Sequence, residues 1–118
     1  MDPDFVYSYT RAQAIADGVL IDVSDMARQA GFKHPVAITA GIQAILNAFS
    51  NEQDYAGRLW DLLCVFWFEA QKVASDTVRF SVLFRMPNEK LQDTELWAKC
   101  GPGDQMEPVI TIMLINED

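Results

Sequence analysis

Three kinds of residue in this chain have types and spacings that could do chemistry. They are two cysteines with a lone histidine, pairs of nearby carboxylates, and the loop Gly101-Pro102-Gly103-Asp104. A Cys–His pair would give a nucleophile and its base. Cys64, however, falls mid-helix among aromatic residues, where a thiol acts as a small hydrophobe. Cys100, at a strand end, is the better nucleophile, but no neighbour in sequence lowers its pKa. His34 with two distant cysteines makes a poor zinc set. Asp22/Asp25 and Asp93/Glu95 would serve acid–base catalysis only if they faced one another across a cleft. Asp25 has a simpler role at the start of a helix, where the dipole favours it. A phosphate cradle at 101–104 would need its glycines to open a helix, whereas a strand follows. Pro102 and Gly103 instead suit a type II turn, with Gly103 at positive φ. Asp104 and Glu107 lack the further spaced oxygens of a cation site. Phe5, Tyr7 and Tyr9 would stack bases only beside a basic groove, and are read as aromatics of an N-terminal strand packed on the core. No catalytic residue, metal site or cofactor is therefore expected, and the chain is not read as an enzyme.

Charge bears on partners. The net charge is −8, half the residues are hydrophobic and 11% are aromatic. Such a chain of 118 residues can build a core without staples and is read as one domain, residues 1–118. Its acidity argues against a phosphate-backbone binder and favours either plain solubility or a basic partner. Residues 87–118 carry seven acids against two lysines, a net −5; residues 1–86 carry ten acids and seven bases, a net −3. The acids Asp93, Glu95, Asp104, Glu107, Glu117 and Asp118 are the candidate partner-binding residues. Two cysteines are too few for a secreted disulfide scaffold. The N-terminus lacks a signal pattern, and "LLCVFWF" is far shorter than the roughly 20 apolar residues of a membrane span. A soluble, cytoplasmic protein is expected.

The elements that must position these residues are legible from local signals. Thr10 with Gln13 forms a capping box opening a helix, and Gly18 closes it. Residues 19–24, "VLIDVS", read as a short strand. Ser24 is read as the cap of a helix closed by Gly31, and Thr39 as the cap of another over 40–50. His34-Pro35 favours extended backbone before it. A long helix is expected from 54 to about 75, with Tyr55, Leu59, Leu62, Leu63, Phe66, Ala70 and Val73 at helical spacing. Trp60, Cys64 and Trp67 widen its apolar arc and make a candidate dimer face. The period then becomes two. Strands are expected over 76–86, 94–100 and 108–115, the last apolar on both faces and read as the most buried. The expected fold is α+β: N-terminal helices with short strands, then a long central helix packed on a C-terminal three-stranded antiparallel sheet.

Two stretches, "YSYTRAQAIADGVLIDVSDMARQAGFKHPVAIT" and "CGPGDQMEPVITIMLINED", resemble a family of small uncharacterised proteins carried by bacterial plasmids, phages and integrated elements. The resemblance spans roughly 55 residues at the two ends and carries over no catalytic residue. It implies an accessory protein of a mobile element, of the kind that interferes with host restriction or CRISPR defence or regulates transfer. Joined to the acidic charge, it gives the leading expectation: a non-enzymatic protein that binds and inhibits a host protein such as a nucleic-acid-handling defence component, contacting no nucleic acid or membrane itself. The alternatives are a small ligand-binding or enzymatic domain using Gly101–Asp104 with Asp22 or Cys100, and a homodimeric plasmid-maintenance protein.

Overall fold

The Thr10 side chain accepts a hydrogen bond from the Gln13 N–H, and the Gln13 side-chain oxygen accepts one from the Thr10 N–H, so the first helix begins where the capping box places it. Gly18 and Gly31 take φ of 78° and 106° after the first two helices, a region where an L side chain is strained. The computed structural model describes residues 9–48, 52–85 and 90–116, with the side chains of 52–54 and 85 outside that description. Within it run α1 (Arg11–Ala16), β1 (Leu20–Asp22), α2 (Ser24–Gln29), β2 (Val36–Thr39), α3 (Ala40–Leu46), α4 (Glu52–Ala70), β3 (Thr77–Arg85), β4 (Leu91–Pro102) and β5 (Pro108–Leu114).

The sheet overturns the expected fold. All five strands form one mixed sheet in the order β1-β2-β5-β4-β3. β3, β4 and β5 are antiparallel to one another, but β2 adds to the far side of β5 in parallel, with Val36 beside Ile110 and Ile38 beside Ile112. β1 then pairs antiparallel with β2. The three-stranded antiparallel sheet under a long central helix is thus not the architecture. The physical reason lies in β5. A strand apolar on both faces belongs inside a sheet, and β2 supplies its second neighbour.

Alternation along the strands separates two faces. Val78, Phe80, Val82 and Phe84 of β3 join Leu96 and Ala98 of β4, Ile110 and Ile112 of β5, and Val36 and Ile38 of β2. Against them pack Ala27 of α2, Ile42 and Leu46 of α3, and Leu59, Leu62, Leu63 and Phe66 of α4. Three helices therefore cover this face. The other face carries α1 at one end, over buried Ala14, Ala37 and Val109, while Arg79, Ser81, Leu83, Asp93 and Glu95 stay exposed on it.

Local expectations differ further: α3 ends at Leu46 rather than at 50, and β4 runs from Leu91 to Pro102 rather than over 94–100. α4 ends at Ala70 rather than near 75, since Gln71-Lys72 turn out of the helix. Ser24 does not cap α2. Val23 occupies that position, and the Ser24 hydroxyl instead bonds Asp22 and accepts from the Val36 N–H, tying α2 to β2. Gly103 is not at positive φ, so the type II turn is absent. The Gly103 N–H donates to the Glu107 carbonyl, the Met106 N–H donates to the Gly103 carbonyl, and Met106 takes φ 64°. This is a three-residue hairpin loop closed by a left-handed residue. Gly103 is needed for space, because a Cβ there would lie 2.9 Å from a Val109 methyl and against the Glu107 carboxylate.

Candidate functional site

The β4–β5 hairpin folds back on the start of α1. A helix start leaves four N–H groups without helical partners. Thr10 serves that of Gln13, while Asp104, far along the chain, serves two more. Its Oδ1 accepts from Arg11 N at 2.8 Å and its Oδ2 from Ala12 N at 3.0 Å. The Arg11 side chain reaches the opposite way, donating from Nη1 to Thr111 Oγ1 at 2.6 Å and from Nη2 to the Ile110 carbonyl at 2.8 Å. Arg11 and Asp104 together clamp α1 to β5.

The clamp is a ridge between two hollows. On one side lies a groove of about 500 Å³ between α1 and the outer face of β4–β5. Ala14, Val19, Leu20, Val109 and Met113 make it apolar, Lys99 and Tyr9 stand at its rim, and Gly101–Gly103 form a wall. On the other side is a hollow of about 310 Å³ that holds the carboxylates of Asp22, Asp104 and Glu107, with Pro35 and Ile15. Arg11, Asp104 and Val109 border both.

Electrostatics follow from this geometry. Two main-chain N–H groups, Ala12 first and Arg11 second, hold the Asp104 carboxyl below its ordinary pKa. Burial lowers the pKa of Arg11, against the opposing pull of Asp22, Asp104 and Glu107. The Tyr9 hydroxyl donates to Asp17 at 2.7 Å, and that bond raises its pKa. Because the folded Asp104 titrates below its unfolded value, its contribution to stability is complete above the ordinary carboxylate range. It disappears as pH falls through the lowered folded value. Asp104→Asn is therefore expected to be less stable than the parent at neutral pH, with the difference starting to shrink below about pH 4 and vanishing only below the lowered folded value, as read in urea titrations. Parallel stability–pH curves for the two would refute the clamp.

The structure divides the six acids proposed from sequence. Asp93 and Glu95 are exposed on the outer face of β4, beside Leu83 and Ser81 of β3. Asp104 and Glu107 lie in the hairpin loop beyond the other end of β4, about 30 Å away. Glu117 and Asp118 lie outside the described residues, as do Phe5 and Tyr7. Between the two pairs come Trp97 and Lys99, whose Nζ sits 4.2 Å from the Trp97 ring centroid. The four described acids thus make two sites rather than one face. Trp60, Cys64 and Trp67 do share a flank of α4, and the two tryptophans are 39% and 40% exposed. Asp22 borders the acidic hollow. Cys100 lines neither hollow and is exposed, as is His34. Among the described residues no three His, Cys, Asp or Glu side chains gather to hold a metal ion, and no helix is long and apolar enough to cross a membrane.

Sequence reasoning missed Arg11, which anchors the site. The capping box accounted for the helix start without asking what its remaining N–H groups bond.

The fold and its paired hollows define an α+β domain with a five-stranded mixed sheet and a two-part surface groove. The chain belongs to a family of unknown function, DUF6573, whose profile matches residues 2–118. No curated protein and no solved structure matches it.

Proposed function

We propose that this is a non-enzymatic interaction protein of a plasmid or phage that works in the cytoplasm and captures a short apolar–basic segment of a partner protein. The observation that supports this reading is the ridge itself. Arg11 and Asp104 set an apolar groove directly against a hollow holding three carboxylates. A bulky apolar side chain suits the first, and a Lys or Arg a few positions along suits the second. A host protein that handles nucleic acid, such as a restriction or CRISPR component, presents such basic segments. Occupying one would inhibit it.

Selection from a library of random short peptides against the purified chain tests this. Enrichment of a large apolar residue a few positions from Lys or Arg is expected, with affinity falling as salt rises. Val19→Glu, at a 52%-exposed position in the groove, and Glu107→Lys, in the acidic hollow, should each weaken the selected peptides by about tenfold. Enrichment of acidic peptides would overturn the reading. A second reading, a small amphipathic ligand in the groove alone, is favoured by the Gly101–Gly103 wall. It predicts that Val19→Glu abolishes binding while Glu107→Lys leaves it unchanged.

A further inference from the structure

Among the described residues β3 is one of the two edge strands of the sheet, β1 being the other. The Cys100 N–H donates to the Asp76 carbonyl at 2.7 Å, and the β3–β4 register pairs Thr77 with Lys99 and continues to Arg85 with Leu91 without a break. In an antiparallel ladder the main-chain groups of alternate residues face the same neighbour. The even residues from Asp76 to Phe84 therefore point toward β4. The N–H and C=O groups of Thr77, Arg79, Ser81, Leu83 and Arg85 point away from it. Among the described residues no strand pairs with them.

Edge strands are ordinarily protected by a proline, a bulge, charged side chains, brevity or a covering helix or loop. Among the described residues β3 has only the exposed charge of Arg79 on its open face. It runs nine residues, "TVRFSVLFR", without proline or bulge, and its inward row is Val78, Phe80, Val82 and Phe84. Leu83, on the other face, is 61% exposed.

We propose that β3 pairs antiparallel with β3 of a second copy of this chain, centred on Ser81, joining two five-stranded sheets into one of ten strands. The register follows from the sequence. Only outward-facing odd residues can exchange hydrogen bonds across the seam, so odd must oppose odd. Centring on Ser81 is the arrangement that pairs the whole strand, with about eight main-chain hydrogen bonds, since the Thr77 N–H already donates to Ser75 Oγ at 3.2 Å. It sets Phe80 opposite Val82 of the second copy and Val78 opposite its Phe84, aromatic against β-branched, on the helix-covered face. Centring on Arg79 would instead oppose two guanidinium groups. On the open face the Ser81 register places Arg79 of one copy opposite Leu83 of the other. Asp93 is the next residue across in that row, about 10 Å from the Arg79 backbone at about 4.8 Å per strand. The exposed leucine gains a cover and the arginine a second acid beside Glu95 of its own copy, and these complementary groups commit the edge to a second copy rather than to an unrelated strand.

Sedimentation of the full chain over a wide concentration range is expected to show a monomer–dimer equilibrium. Hydrogen exchange should show the Arg79, Ser81 and Leu83 amides slowing as concentration rises. Ser81→Pro removes an outward N–H and spares the β3–β4 ladder. It should raise the dimer dissociation constant more than about tenfold while circular dichroism stays unchanged. Leu83→Lys, at an exposed position opposite Arg79 of the other copy, should do the same by charge repulsion, and it decides the matter should Ser81→Pro fail to fold. A chain monomeric at every concentration overturns the proposal. So does a dimer that persists in folded Leu83→Lys, or one broken by Trp60→Ser and Trp67→Ser, which would put the interface on α4. The groove readouts do not involve β3, so the two proposals fail separately.

Discussion

Arg58→Ala is expected to destabilise the fold by about 3 kcal/mol, measured as the free energy of unfolding in urea. Arg58 is 7% exposed, rare for a residue carrying a full charge. Its Nη1 donates to the carbonyls of Ile45, at 3.2 Å, and Leu46, in the last turn of α3. That turn contains no basic residue of its own. The guanidinium from α4 thus takes the place of a cation at the negative end of the α3 dipole and joins two helices that pack on the sheet. Truncation leaves two carbonyls short of a donor and opens a void where the side chain lay. Arg58→Lys keeps the charge without the planar fork and should recover part of the loss. Arg58→Met fills most of the volume but donates nothing, so it should stay near the alanine variant. A methionine variant as stable as the parent would mean that packing, not hydrogen bonding, is what Arg58 provides.

The parts of the fold legible in sequence were those decided within a few residues. Thr10 with Gln13, Thr39 before α3, and the period-two runs of β3 and β4 each carry their signal locally. β2 carries none. Its four residues, Val36–Thr39, show no alternation, because Val36 and Ile38 are buried on the helix-covered face while Ala37 is buried on the other. Its partner β5 lies at the opposite end of the chain, and parallel pairing has no short-range mark comparable to a hairpin turn. The clue was in β5. Reading "PVITIMLI" as apolar on both faces and also as the last strand of a three-stranded meander leaves it at an edge, where such a strand is poorly placed. A second neighbour follows from that conflict, and "PVAIT" was the extended apolar run available.

The candidate site was half legible for a related reason. The turn residues of Gly101–Asp104 mark a loop between two apolar runs, and that loop forms one wall of the groove. The work Asp104 does was not visible, because its partners are the main-chain N–H groups of Arg11 and Ala12 at the other end of the chain. An orphan-donor count would have narrowed the search. With Thr10 committed to Gln13, the first two N–H groups of α1 still needed an acceptor. Counting acids per segment also hid their placement. Asp93 and Asp104 fall in one acidic stretch, yet β4 holds them far apart.

Phe66→Ala should cost about 4 kcal/mol, the larger of the two losses, and lower the melting temperature by more than about 10 °C. The Phe66 ring lies between two others. It stacks on Phe32 with centroids 5.4 Å apart and planes 7° from parallel, and tilts by 32° against Phe80, also at 5.4 Å. Phe32 follows α2, Phe66 is on α4 and Phe80 is on β3, so one side chain joins the N-terminal segment, the long helix and an edge strand of the sheet. Phe66 is 5% exposed, and its removal leaves a void that backbone on three elements cannot close. Offset or tilted aromatic pairs add about 0.5–1.5 kcal/mol beyond buried area, and both pairs disappear together. Phe66→Leu retains most of the volume and should cost only about 1.5 kcal/mol. Domains of this size hold about 5–15 kcal/mol in all, so the alanine variant should still fold at low temperature. The two aromatic contacts share one ring, so Phe32→Leu combined with Phe66→Leu should cost less than the sum of the single changes. Strict additivity would mean that the rings pack by volume alone.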